Sequence, residues 1–376
     1  MQPVMLFDCR PDAAALAAAD VVLASGQLAA GPRVGELERD LGRWIGHEHV
    51  ATLGDMTHAL ALALRLSGVG PADDVLTLSY NCMSSNSAIT HVGARPVWVD
   101  LDPATATMSV ADCEAALTSR TKALVAYHVA GYPAPLDELR DFCDRHGLAF
   151  IEDANNALGA TWKGRQAGTV GDFGVYSFYA NRQVNGIDGA ALVCADAATV
   201  RRIAALRRFG IDIASFRDAN GEIDAAADIA EIGMSSSLNH VQAAIALEHL
   251  RTLKSRLACN RANVAALEEM LQHTPGLTPV TRAHCSQPAF WTWLVRCEHR
   301  NSILAELKRG GIACSKLHQP NHSYSGFAAT ARALPGTDAF MDEVLALPCG
   351  WWLETSDLAR IADGVRAACS AAGNSA

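Results

Sequence analysis

The sequence predicts an α/β protein with a mainly parallel sheet and a smaller α+β domain at the C-terminal end. Through roughly the first 250 residues, short apolar or β-branched runs alternate with segments of helical period, which is typical of a parallel sheet covered on both faces. A long helical stretch over 239–271 then leads into a region with fewer strand candidates. We therefore predict a large domain over residues 1–250 and a small one over 251–376, and the chain is long enough for both.

Helices are predicted where apolar residues recur at spacings of three and four, and strands where a short run is continuously apolar. The predicted helices are 34–45, 57–67, 109–118, 136–146, 239–271 and 356–371. The predicted strands are 74–79, 94–101, 121–129, 148–153, 173–178, 190–194 and 290–297. In a sheet of this kind, ligands bind outside the carboxyl ends of the strands, so polar residues that follow a strand are the candidates for a site.

Composition excludes several classes of function. The net charge of -9 and the lack of a long basic run argue against a nucleic-acid surface. Charged residues interrupt the apolar N-terminus, and no stretch is long enough and apolar enough to span a membrane. Eleven cysteines without a CxxC pair indicate neither a disulfide framework nor a zinc ribbon, and no metal site is expected. We expect a cytoplasmic protein with a small-molecule partner.

Two polar segments are candidates for the carboxyl edge of the predicted sheet. Thr57, in the turn GDMTH over 54–58, begins a helix whose free N–H groups favour a phosphate. Thr57 could equally cap that helix. Asp153 ends the apolar strand of IEDANNALGA, where it could hold a protonated ring nitrogen or cap a helix. Each interpretation stays open on spacing alone.

Two further segments complete the candidate site. Ser177 and Arg182 end the strand of GDFGVYSFYANR beside the Gly-rich loop NGIDGA over 185–190, and a serine with an arginine can clamp a phosphate or carboxylate. His318 and His322 lie in the Pro-bearing loop KLHQPNHSY over 316–324. Histidines at this spacing in a loop give no metal geometry, and single histidines are often structural.

Taken in order, these segments resemble the DegT/StrS-type sugar aminotransferases, which are fold-type-I enzymes that use pyridoxal phosphate. The likeness covers nearly the whole chain and includes the segments 25–46, 73–102, 121–139, 147–178 and 232–250, and EVLALPCGWWL near the end. It implies a large mainly parallel-sheet α/β domain and a smaller C-terminal α+β domain. It also implies a homodimer and a place in natural-product or deoxysugar biosynthesis.

The resemblance assigns a role to several single residues. Asp153 matches the aspartate that pairs with the pyridine nitrogen, and Ser177 matches a phosphate-binding serine. Thr57 matches the threonine of a Gly-Thr phosphate turn, but Met56 stands where the glycine is expected and crowds the approach to phosphate. Asn156 replaces the glutamine that follows the aspartate.

Other positions depart further from the family pattern. Cys82 stands where an aromatic ring stacks on the cofactor. Ser235 and Ser237 occupy the positions of an Asn and an Arg that reach the neighbouring subunit's active site. His128 and His318 fit the pattern.

The largest departure is Arg182, which falls on the family's Schiff-base lysine without a gap. Lysine serves there because its amine can lose a proton, attack the cofactor aldehyde and act as a base. Arginine stays protonated, with a pKa of about 12.5 or higher. Lys316 is the single other lysine near a predicted site loop. We therefore expect Arg182 to bind an anion.

Three functions follow from this comparison. The first is an enzyme that acts without covalently bound cofactor on an anionic substrate, with Arg182 as the anchor and His128, His318 or Asp153 transferring protons. The second is a pyridoxamine-phosphate-dependent dehydratase or an atypical aminotransferase. The third is a non-catalytic scaffold for another biosynthetic enzyme. Under the first function we expect no bound cofactor. Under the second function we expect non-covalent pyridoxal or pyridoxamine phosphate. The residues of the vestigial or anion-binding set under the first function are Thr57, Asp153, Asn156 and Ser177.

Overall fold

The computed structural model describes residues 2–373 of the chain, and Met1 and residues 374–376, which belong to the predicted domain ranges, lie outside that description. Its strands, in chain order, are β1 Val50–Leu53, β2 Asp74–Leu78, β3 Arg95–Val99, β4 Leu101–Asp102, β5 Thr107–Met108, β6 Thr121–Tyr127, β7 Ala149–Asp153, β8 Thr161–Trp162, β9 Arg165–Gln166, β10 Phe173–Ser177, β11 Ala190–Cys194, β12 Leu277–Pro279, β13 Ser286–Gln287, β14 Trp293–Cys297 and β15 Val344–Leu347.

Helices cover the sheets and join them. They are α1 Ala13–Ser25, α2 Pro32–Ile45, α3 Met56–Leu66, α4 Met83–His91, α5 Val110–Ala116, α6 Leu136–His146, α7 Ala197–Leu206, α8 His240–Leu271, α9 Arg300–Arg309, α10 Pro335–Glu343 and α11 Thr355–Gly373. Short 3₁₀ segments lie at Val129–Gly131, Asn321–Ser323 and Ser325–Thr330.

Seven strands form the central sheet in the order β1-β11-β10-β7-β6-β2-β3. The pairs from β10 to β3 are parallel, whereas β11 is antiparallel to both β10 and β1. The five residues of β2, β10 and β11 are all buried, because helices cover both faces of the sheet. The predicted mainly parallel α/β fold is therefore confirmed, with one antiparallel edge.

Helix α8 runs for 32 residues and begins with a capping box, in which Asn239 and Gln242 each bond to the other's backbone N–H. It packs against α1, α2 and α11, and so joins the central sheet to the C-terminal part of the chain. That part contains the antiparallel sheet β12-β14-β15. One buried apolar cluster runs from Val4 to Cys369 and includes residues of both sheets. The division at residue 250 stays a prediction.

Most predicted elements agree with the observed ones to within a few residues. The prediction omitted strands β1, β12 and β15, the two-residue strands β5, β8, β9 and β13, and helices α1, α4, α7, α9 and α10. Helix α4 contains MSSNS, a serine- and asparagine-rich start that does not favour a helix by propensity. It is helical here because its buried face, Ser85, Asn86, Ala88 and Ile89, packs under the carboxyl end of the sheet.

Candidate active site

A cavity of about 390 Å³ lies at the carboxyl edge of the central sheet. The N-terminus of α3, the loops that follow β7 and β10, and two loops from the C-terminal part of the chain enclose it. Its lining residues are Asp55, Met56, Thr57, Cys82, Ser84, Asn155, Ser177, Tyr179, Asn181, Arg182, Asp188, Trp291 and His318. This volume is within the range of about 300–1,000 Å³ that is usual for small-molecule sites.

The start of α3 carries its own carboxylate. Asp55 is the N-cap, and its Oδ1 accepts a hydrogen bond from the backbone N–H of His58 at 2.9 Å. The other carboxylate oxygen contacts the imidazole of His58. Of the two alternatives for Thr57, the one in which it caps this helix is wrong, because Asp55 has that role and Thr57 lies in the first turn. Met56, the first residue of this helix, is buried.

Ser177 and Asp188 lie beside this helix start. Ser177 ends β10, and its Oγ accepts a hydrogen bond from the backbone N–H of Tyr179 at 3.2 Å. Asp188 Oδ1 accepts from the backbone N–H of Gly189 at 2.8 Å. Burial raises the pKa of Asp188, and the hydrogen bond from the Gly189 backbone opposes this rise. The charge of Asp55 adds to the rise, and the charge of Arg182 offsets part of it. The end of the cavity at α3 therefore contains two neighbouring carboxyl groups.

Asp153 ends β7 and is fully buried. Its Oδ2 accepts hydrogen bonds from Ser85 Oγ at 2.7 Å and Asn81 Nδ2 at 3.2 Å. Its Oδ1 accepts from Asn155 Nδ2 at 2.7 Å and from the Asn155 backbone N–H at 3.3 Å. Asp153 is not among the lining residues, because these three side chains cover its carboxylate.

Arg182 lines the cavity with a side chain that is more than nine-tenths buried. Its Nη2 donates to Asn155 Oδ1 at 2.9 Å, and its Nη1 donates to Asn181 Oδ1. The guanidinium carbon lies 4.8 Å from the centre of the Trp291 ring, a cation–π contact, and Phe7 stacks on that ring at 4.5 Å. Nε of Arg182 is buried without a hydrogen-bond partner, and no described carboxylate forms an ion pair with this guanidinium.

His318 and Tyr127 form a polar contact next to Arg182. The Tyr127 hydroxyl lies 3.2 Å from His318 Nε2 and accepts a hydrogen bond from Asn156 Nδ2 at 2.6 Å. Burial and the charge of Arg182 lower the pKa of His318 to about 4, so its imidazole is neutral at neutral pH. Burial raises the pKa of Tyr127, and Asp153 adds to this shift. Asn156 does not line the cavity and is linked through Tyr127 to His318, which does.

His128 lies outside the lining of the cavity, contrary to its predicted proton-transfer role. It is fully buried, with Nε2 at 3.0 Å from Glu152 Oε2 and Nδ1 accepting from the Ala134 backbone N–H at 3.0 Å. Glu152 also accepts from the backbone N–H groups of Gly168, Val170 and Gly171. Burial alone would raise the pKa of Glu152, but these hydrogen bonds and His128 lower it overall. His128 thus holds a loop in place.

Cys82 and two serines occupy the remaining predicted positions. Cys82 lines the cavity, and its backbone N–H donates to Asn81 Oδ1 at 2.7 Å. Ser235 is exposed and pairs with Arg208 in an isolated bridge, and Ser237 Oγ donates to the Arg207 carbonyl at 3.2 Å. Neither serine lines the cavity. Between residues 2 and 373, no group of acidic, histidine and cysteine side chains is arranged to hold a metal ion, and no helix is long and apolar enough to cross a membrane.

This fold, with a cavity at the carboxyl edge of a seven-stranded sheet, defines a fold-type-I aminotransferase architecture. Residues 10–366 match the model of the DegT/DnrJ/EryC1/StrS aminotransferase family, and the chain belongs to that family. It is 32% identical over 351 residues to the dTDP-3-amino-3,4,6-trideoxy-alpha-D-glucose transaminase of Streptomyces venezuelae, covering 92% of this chain and 89% of that protein.

Solved structures agree with this assignment. The sugar aminotransferase CalS13 of Micromonospora echinospora is similar at a TM-score of 0.91 and 32% identity, over 97% of this chain and 99% of that one. The DesV protein of S. venezuelae, in complex with a ketimine intermediate, is similar at a TM-score of 0.89 and 30% identity, over 98% of both chains.

The family implies pyridoxal phosphate, which these side chains fit in part. Thr57 and Ser177 line the cavity beside a helix start and suit a phosphate. Arg182 has no amine that readily loses a proton to form a Schiff base. Asp153 is sealed from the cavity, and the carboxylate of Asp55 already occupies the start of α3. The set as a whole does not fit the covalently bound cofactor.

Several residues of the site escaped the sequence prediction. Asn155, Asp55 and Asp188 were passed over although each adjoins a position that was singled out. An acidic residue immediately before an apolar helix is a cap signal, which could have identified Asp55. Tyr127 and Trp291 carried no such signal, because an aromatic residue in an apolar run is usually part of the core.

Proposed function

We propose that this chain is a biosynthetic enzyme of a natural-product or deoxysugar pathway that acts without a Schiff-base-linked cofactor, on a small molecule with an anionic group that binds Arg182. The supporting observation is the state of that guanidinium. Arg182 lines the cavity, is more than nine-tenths buried, and forms no ion pair with a carboxylate in the described part of the chain. Charged side chains are rarely buried unless they are paired, so an unpaired guanidinium in a cavity favours an anionic ligand.

The surrounding side chains suit a binding role for Arg182. Trp291 fixes the plane of the guanidinium, and its own Nε1 donates to the Asn181 carbonyl at 2.7 Å. Asn155 and Asn181 each accept from one Nη atom, which holds the guanidinium without neutralising it. Arginine in such a frame binds carboxylate or phosphate oxygens with defined geometry.

His318 is the proposed proton acceptor. Its imidazole lines the same cavity as Arg182 and is neutral at neutral pH because its pKa is lowered to about 4. A neutral imidazole can remove a proton from a bound substrate, and Arg182 would stabilise the negative charge that develops on the substrate oxygens. Tyr127 orients the imidazole through its contact with Nε2. Asp153 and His128 are not assigned proton transfer, since neither lines the cavity.

One experiment on the purified protein tests this proposal. The protein is isolated from cells grown with ample vitamin B6, and its absorption spectrum, its acid-released cofactor and its mass after borohydride reduction are measured. We expect no visible band, less than stoichiometric cofactor, and no reduced adduct after incubation with pyridoxal phosphate. A stoichiometric adduct at any lysine of the chain would overturn the proposal.

A pyridoxamine-phosphate-dependent dehydratase or atypical aminotransferase is the second candidate. It is favoured by Thr57 and Ser177, which line the cavity in positions that suit a phosphate. The hydrogen bonds to Asp153 oppose this candidate. To pair with Asp153, the ring nitrogen of the cofactor would have to displace Asn155, Ser85 or Asn81 from the carboxylate. Calorimetric titration with pyridoxamine phosphate separates the two, since micromolar affinity favours this candidate.

We also propose a homodimeric, cytoplasmic protein. Helix α1 exposes Leu16, Val21 and Leu23, which is more apolar surface than a solvated helix usually presents. All eleven cysteines are free thiols, which suits a reducing compartment. Light scattering on the purified protein measures the mass, and a monomer at micromolar concentration would contradict the dimer.

A further inference from the structure

We propose that the ligand of this cavity is a zwitterion, whose protonated amine binds at Asp55 and Asp188 while its anionic group binds Arg182. An amino sugar acid is the class of compound that matches best. The inference rests on the proposed function, because it takes Arg182 as the anchor of the anionic group.

Charged side chains of both signs line the cavity. Three charged side chains line the cavity, and two of them, Asp55 and Asp188, are carboxylates at the end formed by the start of α3. Asp188 forms no ion pair with any residue in the described part of the chain, and Asp55 contacts the imidazole of His58. The two carboxylates are close enough for the charge of Asp55 to raise the pKa of Asp188. A cationic group of the ligand would relieve this repulsion, whereas a phosphate would add to it.

The positive charge in this cavity is held by neutral groups. Hydrogen bonds to Asn155 and Asn181 and the contact with Trp291 fix the guanidinium of Arg182. This buried guanidinium forms no ion pair within the described part of the chain, which independently indicates an anionic group of a ligand. The cavity thus presents charged groups of both signs, which one ligand with both an amine and an acid group can satisfy.

Hydroxyl and amide side chains account for much of the remaining lining, namely Thr57, Ser84, Asn155, Ser177 and Asn181. The amide oxygens of Asn155 and Asn181 already accept hydrogen bonds from Arg182. The hydroxyls of Thr57, Ser84 and Ser177 can donate to and accept from the hydroxyls of a polyol, so a sugar derivative is a better match than an apolar amino acid.

Three matched compounds test the inference. Glucosaminate carries both charges, gluconate lacks the amine, and glucosamine lacks the carboxylate. Isothermal titration calorimetry on the full-length protein measures each at the same pH and ionic strength. We expect glucosaminate to bind at least about tenfold more tightly than either of the others, which corresponds to about 1.4 kcal/mol. Equal or tighter binding of gluconate overturns the inference, as does the absence of glucosaminate binding at millimolar concentration.

Charge-removing variants locate the two ends of the ligand. Asp55→Asn removes the charge but keeps an efficient helix cap, so α3 should fold as before. This variant and Asp188→Asn should each weaken glucosaminate binding about tenfold or more and leave gluconate binding equal or tighter. Arg182→Gln should weaken both of these ligands and spare glucosamine. Circular dichroism and thermal melting establish that each variant is folded.

The two proposals fail in different ways. A borohydride-reducible adduct with pyridoxal phosphate overturns the proposed function. A preference for gluconate or inorganic phosphate over glucosaminate, in a protein that forms no such adduct, overturns the zwitterion alone. Unchanged glucosaminate affinity in both aspartate variants has the same consequence.

Discussion

The side-chain amide of Asn155 bridges Arg182 and Asp153. Its oxygen accepts from Arg182 Nη2 at 2.9 Å, and its nitrogen donates to Asp153 Oδ1 at 2.7 Å. One amide therefore both orients the cation in the cavity and covers the carboxylate that the family resemblance assigns to a cofactor nitrogen.

Replacement of Asn155 by alanine should release both groups. Arg182 Nη2 and one acceptor position of Asp153 lose a buried partner, so we expect the free energy of unfolding to fall by about 1–3 kcal/mol. Urea denaturation measures this change. Ser84→Ala is the control, because Ser84 lines the same cavity but its hydroxyl bonds to neither Arg182 nor Asp153. Equal stability of the two variants would contradict the bridge.

Restoring lysine at position 182 should not by itself restore Schiff-base chemistry. In Arg182→Lys the carboxylate of Asp55 stays at the start of α3, and the Met56 side chain stays beside it. We expect this variant to remain colourless with pyridoxal phosphate, whereas the triple variant with Asp55→Ser and Met56→Gly should gain a visible band and a borohydride-stable adduct. Absorption spectra and mass spectrometry check both. A yellow single variant would show that Asp55 and Met56 do not exclude the cofactor.

The imidazole of His318 should stay neutral well into the acidic range. Tyr80, Tyr127 and Arg182 are the titratable groups that face it, and burial together with Arg182 lowers its pKa from 6.5 to about 4. Because the unfolded chain binds this proton more readily, the contribution of His318 to stability is present above pH 6.5 and falls as the pH drops toward 4.

Nuclear magnetic resonance titration of the imidazole measures that pKa directly. Arg182→Gln should raise it, since the variant removes one of the two causes of the shift, and Arg182→Lys should keep it low because the charge is retained. A normal histidine titration in the unmodified protein would contradict the neutral proton acceptor.

His128 should matter for stability rather than for chemistry. His128→Ala leaves the buried Glu152 with its backbone donors alone, and loss of one partner of a buried pair costs about 3 kcal/mol. Because the pKa of Glu152 is lowered from 4.5, the stability it contributes is present above pH 4.5 and is lost as the pH falls through its folded pKa. Denaturation at neutral pH, with His128→Gln as the conservative control, measures the first effect. Unchanged stability but lost activity would reverse this assignment.

Much of the fold could be predicted because its strands are short and continuously apolar. Strands β6 and β10, for example, were placed from runs such as TKALVAY, of which the last five residues are buried, and FGVYS, of which all five are buried. Strand β1 has four residues and helix α4 is rich in serine and asparagine, so neither carries a strong periodic signal. The antiparallel edge at β11 depends on pairing between distant segments, which no local pattern contains.

The site was predicted less completely than the fold. Arg182, Ser177, Thr57 and His318 do line one cavity. The position of Asp153 at a strand end indicated an open carboxylate, whereas Ser85, Asn81 and Asn155 cover it. Ser85 and Asn81 are 68 and 72 positions away from Asp153 along the chain. A local sequence pattern does not predict contacts between residues so far apart.

The carboxylate of Asp55 bears on how the protein would respond to the supply of vitamin B6. Because the Asp55 carboxylate is part of the chain, it is always present at the start of α3. A phosphate ester in solution must therefore compete with this carboxylate for the N–H groups of the helix. Under the proposed function, the activity of this protein does not depend on the supply of vitamin B6. A vitamin-starved cell should retain its activity while activities that depend on the vitamin decline.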